Sequence, residues 1–267
     1  SVESIAFQEQ DKVVAACATT AIWTALHALP GRNVKTIPSC SEITISALNF
    51  VDGSNNGFPN KHLTHKQIQR SLDVEGLRYH SSTLTETPKK WFQGYACAHI
   101  DSDIPVILAG FVYGPQKAKA SEAEPEEDAL SEAERLSVLE EYGDGLSDET
   151  RAQLLAGNGA TVGQSVCLKG GHAITLLGYD FRDSAQWIYV HDDRLGPYAR
   201  AQLIEATSFI DLHAGNGFEA SDEVKNSLKN RWALAFSQWD DEKQVWLSPH
   251  EILVPDMGIV PTDKKAR

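Results

Sequence analysis

The sequence contains no run of 18 apolar residues, so it predicts no membrane span. Basic residues are in the minority. Lys and Arg total 24 against 37 Asp and Glu, for a formal net charge of -13. Nucleic acid and anionic membrane surfaces would both repel such a chain, which excludes them as expected partners. The opening residues, SVESIAFQEQ, lack a Met, a basic stretch and an apolar signal core, and are expected to come from a processed or excised piece of a longer protein. Cysteine is also scarce. Cys17, Cys40, Cys97 and Cys167 are widely spaced with no CxxC pair, which speaks against a zinc knuckle or a disulfide framework. They read as reduced thiols, with packing as the default role of each and a cytoplasmic location as the expectation.

Other absences concern ligands. His62 and His65 in "HLTH", and Cys97 and His99 in "CAH", are isolated pairs with no third ligand beside them. No metal site and no cofactor is predicted. No internal repeat is seen. The 267 residues can bury about three quarters of their unfolded surface, ample for a single domain spanning 1–267.

Among the patterns that are present, "CATTAIWTALHALPG" places Ala18, Ala21, Ile22, Ala25, Leu26 and Leu29 at three- and four-residue spacing. A buried helix is predicted from about Cys17 until Pro30-Gly31 stops it. Cys17 then lies in the first turn, where unpaired amides and the positive end of the helix dipole favour an anion. A thiolate is the form that attacks carbonyls. Further helices are predicted in "CSEITISALNFVD", in "THKQIQRSLDVEG" with Thr64 and Gln67 in capping-box spacing and Gly76 at its end, and briefly after Pro88.

The run "IPVILAGFVYG", residues 104–114, reads as the first strand of a sheet. Strands follow at His172, at 187–191, in "GPYARAQLIEA", and in two runs joined by a polar turn at Asp240 to Lys243, for five or six in all. The tail from Pro255 is expected to fray. Helices early and strands late predict an α+β fold, a helical half on an antiparallel sheet half. An acidic, Ala-rich block at about 116–160 interrupts the sheet pattern and reads as an insertion: a solvated loop, or a lid or partner-binding arm.

"GGHAITLLGYDF" and "WIYVHDD" carry the remaining chemistry. His172 opens one strand, and Asp192 and Asp193 end the next. On strand parity, Ile188, Val190 and Asp192 share one face, expected to turn toward the helical half and His172, while His191 points away as a bystander and Asp193 begins a turn. Cys17, His172 and Asp192 thus give a nucleophile, a base and an orienting carboxylate in chain order. Asp193 is the other candidate for the third role.

This order resembles the papain-like cysteine peptidases, and the His strand ending in Gly-Tyr-Asp is similar to the branch of bacterial double-glycine leader peptidases. The resemblance covers roughly residues 8–29 and 104–200. It implies a papain-like fold in which the nucleophile helix packs on the sheet, and a bacterial thiol protease acting on a protein or peptide substrate. It also implies a Gln six residues before the Cys to serve the oxyanion. Asp11 stands there instead, so the role passes to Gln10, with Gln8 as the other glutamine in reach and the Cys17 amide as second donor. Two other functions use the same residues: a transglutaminase-like acyltransferase, and a catalytically silent domain that binds a peptide or partner.

Overall fold

The computed structural model describes residues 16–29, 37–48, 63–116, 165–182, 186–215, 217–237, 239–240 and 242–263. Its helices are α1 (Ala16–Ala28), α2 (Cys40–Leu48), α3 (His65–Val74), α4 (Lys89–Ile100), α5 (Ala206–Ala214) and α6 (Asp222–Leu228). Its strands are β1 (Leu77–Thr83), β2 (Val106–Gln116), β3 (Ser165–Asp180), β4 (Trp187–Asp192), β5 (Gly196–Glu205), β6 (Glu219–Ala220), β7 (Trp232–Phe236), β8 (Trp239–Asp240), β9 (Val245–Trp246) and β10 (Glu251–Asp263). None of these helices is long and apolar enough to cross a membrane.

The sheet runs β1-β10-β2-β3-β4-β5-β7, and β7 returns to pair with β10 through Glu251↔Phe236, Ile252↔Ala235 and Leu253↔Leu234. Six antiparallel strands therefore close into a barrel. β1 continues the sheet beyond β10, and β6 pairs parallel with β3. This corrects the expected papain-like α+β arrangement: the sheet is a closed barrel rather than a half on which a helical half rests. It also holds eight strands among the described residues, with β8 and β9 forming a separate hairpin.

The strands are apolar on both faces because both are covered. Val106, Leu108, Ile174, Leu176, Ile188, Val190, Leu203, Leu234 and Leu253 alternate into a common interior. The intervening Ile107, Ala109, Ala173 and Ile259 pack outward against α1, α2 and α3. Phe111, Tyr113, Val166 and Ala235 pack against α5 and α6. Helix α4 sends Phe92 and Ala96 into the interior cluster, and Phe92 stacks on Trp232 with ring centroids 4.0 Å apart.

Closure needs a sharp bend in β10. Its pairing with β2 shifts register between Pro255 and Met257, where a proline can sit because the bulge asks for no ladder N–H. Opposite lies Gly110, whose backbone passes so close to Val254 and Pro255 that a Cβ would overlap the Val254 carbonyl. The tail from Pro255 does not fray: β10 continues to Asp263, and Ile259 and Val260 are buried. Pro255 looks like a breaker in the sequence but sits at this bulge, and Gly258, paired with Leu108 beyond it, leaves room for the Tyr95 hydroxyl. β1 precedes the strand expected to be first. Its pattern is that of an outer strand, with Leu77 buried and Arg78, His80 and Thr83 to varying degrees exposed.

Several elements form as expected. Thr64 accepts from the Gln67 amide and the Gln67 side chain accepts from the Thr64 amide, completing the capping box of α3, and Gly76 follows at a φ of 76°. The acidic block lies outside the described residues. Its boundaries are informative, because Gln116 at the end of β2 and Ser165 at the start of β3 are paired partners.

Candidate functional site

Helix α1 is built to lie close to the barrel. Ala18, Ala21 and Ala25 keep its inner face small, and Thr19 and Thr24 are buried without strain because each finds a hydroxyl or ring partner. Thr19 shares a 2.9 Å hydrogen bond with Thr44 of α2. The Thr175 hydroxyl of β3 donates to the Ala21 carbonyl at 2.7 Å, and Thr24 Oγ1 lies 3.0 Å from His191 Nδ1 of β4. Two of these hydrogen bonds tie α1 to β3 and β4 and the third ties it to α2, and together they fix where Cys17, in its first turn, is held.

The Cys17 thiol lies beside the His172 ring, close enough to help hold a proton on it. On the far side of the ring, His172 Nε2 lies 2.9 Å from Asp192 Oδ2. The other ring nitrogen, Nδ1, is left for the thiol. The three residues singled out from the sequence are therefore brought together, while Gln10 and Gln8 lie outside the described residues.

Asp192 sits on the face expected, but the face is not the one expected. Ile188 and Val190 point into the barrel interior rather than toward α1, and His172, Ile174 and Leu176 alternate with the same parity on β3. The imidazole and carboxylate meet along this inner face. His191 faces α1 and is 1% exposed, so it is a docking residue for that helix and not a bystander. Its burial pushes the ring's pKa down, favouring the neutral form.

Two groups that sequence reasoning missed complete the site. Arg194 donates from its backbone to Asp192 Oδ1 at 2.8 Å, and its Nη2 reaches Asp192 Oδ2 at 3.1 Å. The same Nη2 lies 2.7 Å from Glu251 Oε1, at the start of β10. Arg194 had a local signal, since it follows "DD" in a tight turn closed by Asp192↔Gly196, with Gly196 at a φ of 97°. Glu251 had none, because its nearness depends on barrel closure.

The charges follow from burial and contact. Burial works against a proton on His172, but the charge of Asp192 overrides it. Arg194 opposes, the hydrogen bonds to Asp192 and Cys17 assist, and the ring is raised from 6.5 to about 10. Burial would also raise Asp192, but His172 and Arg194 hold it well below the usual carboxylate range. Asp193 differs. Its turn position ends the strand parity and brings Oδ1 to 3.6 Å from His172 Nε2, without a hydrogen bond to it. Burial pushes its carboxyl up, the charge on His172 counters, and Asp192 adds to the rise.

His172, Asp192 and Asp193 are also three buried potential metal donors within 4.8 Å of one another. The isolated pairs have no such setting: His62 lies outside the described residues, His65 opens α3, and Cys97 and His99 lie on α4. No protein-family model and no curated protein matches this chain.

Proposed function

We propose that this chain is a thiol hydrolase that cleaves a peptide or isopeptide bond in a protein or peptide substrate. The observation that carries this reading is the convergence of Cys17, His172 and Asp192, the thiol beside the ring and the ring hydrogen-bonded to the carboxylate, begun in the first turn of a helix. His172 takes the thiol proton, the sulfur attacks the substrate carbonyl, and the imidazolium is held by Asp192 until it protonates the leaving amine. Water then adds to the thioester, giving its proton to His172, and the thiol is restored as the acid leaves. The Cys17 amide is among the first four N–H groups of α1, which have no intrahelical acceptor, and so can donate to the oxyanion. Gln10 is the second donor this reading assigns.

Labelling tests it directly. All four cysteines are partly exposed, so access alone does not favour one of them over the others. Iodoacetamide should modify Cys17 fastest, and Cys17→Ala should abolish cleavage of a peptide library. Uniform labelling with no cleavage would sink the proposal. Incorporation of an added amine in place of hydrolysis would make the chain an acyltransferase.

A further inference from the structure

The Cys-His-Asp series leaves Asp193 unaccounted for. It is buried, and neither carboxylate oxygen has a hydrogen-bond partner among the described residues apart from its own backbone amide, the His172 ring being an ion-pair neighbour at 3.6 Å. A buried carboxylate in that condition is costly unless something pairs with it. Its position shows what would. Oδ1 is 3.6 Å from His172 Nε2, and Asp192 Oδ2 is 2.9 Å from the same nitrogen. Metal–ligand bonds of about 2.1 Å set neighbouring donors roughly 3.0 Å apart at octahedral angles and roughly 3.4 Å apart at tetrahedral ones. The two observed separations bracket these values, and all three donors lie within 4.8 Å of one another, so side-chain movement could seat an ion among them.

Charge points the same way. Asp192, Asp193 and Glu251 stand against Arg194 and the charged His172 ring, so these contacting groups carry one net negative charge, and two once an ion displaces the Nε2 proton. A divalent cation would balance them.

We propose that His172 Nε2, Asp192 and Asp193 form an inhibitory site for a divalent first-row transition cation. One imidazole with two carboxylates suits ions from manganese to zinc. Binding stands apart from the hydrolase reading; the inhibitory effect rests on it. An ion on Nε2 takes that nitrogen's lone pair and displaces its proton, leaving the ring proton on Nδ1, which faces Cys17. An N–H in that place cannot accept the thiol proton. Asp192 would at the same time leave the ring to ligate the ion.

Cobalt(II) is the probe, because its visible absorption reports coordination by protein ligands. Titration should use untagged Cys17→Ala protein, so that no thiol at the site contributes. One equivalent should bind with a visible band, and adding Asp193→Asn should weaken binding at least tenfold, with circular dichroism confirming that both variants fold. Should the double variant not fold, Cys17→Ala with His172→Gln takes its place and the same weakening is expected. Absence of cobalt binding to Cys17→Ala, or equal affinity in the second variant, overturns the site. With wild type, cobalt should suppress peptide cleavage and a chelator restore it. Stoichiometric binding with undiminished cleavage overturns the inhibitory role. Binding to a wild type that cleaves nothing upholds the site and sinks the hydrolase reading instead.

Discussion

Replacing Asp192 by Asn keeps the shape of the side chain and removes its charge, and the structure sets how much that should cost. The Nε2 to Oδ2 distance is 2.9 Å and Asp192 is fully buried. At an effective dielectric of about 20, a charge pair at that separation is worth about 6 kcal/mol. An amide would also hold the wrong tautomer, since its NH2 can donate to Nε2 and drive the ring proton to Nδ1, away from its function as base toward Cys17. A fall of roughly 10³ to 10⁴-fold in kcat is therefore expected, with KM changed little because the substrate does not touch Asp192. Asp193 lies 3.6 Å from the ring without a hydrogen bond, so Asp193→Asn should cost far less than Asp192→Asn. The assay is steady-state cleavage of a peptide that Cys17→Ala leaves intact, with thermal unfolding as the check on folding. Equal losses in the two variants would refute the assignment of roles. Full turnover in Asp192→Asn would leave a Cys-His dyad.

Three further outcomes are expected. Burial pushes His65, at the start of α3, down from 6.5 to about 4, so the folded chain holds it neutral while the unfolded chain protonates it. The stability tied to that ring is present in full above pH 6.5 and is lost as pH falls toward 4, by at most about 3 kcal/mol, and urea titrations at pH 7 and 4.5 should show His65→Gln losing less. Residues 117–164 replaced by Asn-Gly should leave a folded chain, because Gln116 and Ser165 are already paired, and shortening the loop should add about 2 kcal/mol. An unfolded circular dichroism spectrum would show instead that the block belongs to the core. Phe92→Ala should cost about 3–5 kcal/mol in chemical unfolding, since Phe92 is fully buried against Trp232, and a loss below about 1 kcal/mol would mean that α4 is not part of the interior packing.

What could be read beforehand was local. The capping box of α3 is a four-residue pattern, and the helix of Cys17 is a repeat of small apolar residues, so neither depends on distant partners. Cys17 and Asp192 could be found because a helix start and a strand end each leave a mark in sequence, and His172 because it follows two glycines, although β3 begins at Ser165 and holds His172 in mid-strand instead of opening with it. Barrel closure leaves none. The pairing of Leu253 with Leu234 joins two runs that would look the same at the edges of an open sheet. Everything dependent on closure was hidden with it: Glu251 on Arg194, the true facing of Ile188 and Val190, and the ordered course of β10 past Pro255. The approach of Asp193 to the ring was illegible for a different reason, because strand parity stops applying where a tight turn begins.

Glu251 occupies two positions at once. It is the first residue of the seam that zips β10 to β7, and it is the carboxylate that grips Arg194 beside Asp192. Cys17 is synthesised well before Glu251, so the chain carries that thiol long before Arg194 gains its second carboxylate. β10 must pair with nearby β7 and also with β2, as at Ile252↔Tyr113, and pairings as far apart in sequence as the second form slowly. A nascent or partly opened chain thus holds Asp192 and Arg194 in a looser setting than the finished barrel does. Glu251 thus ties the charge network to the closure of the barrel, and a change that opened the β10–β7 seam would loosen Arg194 beside Asp192.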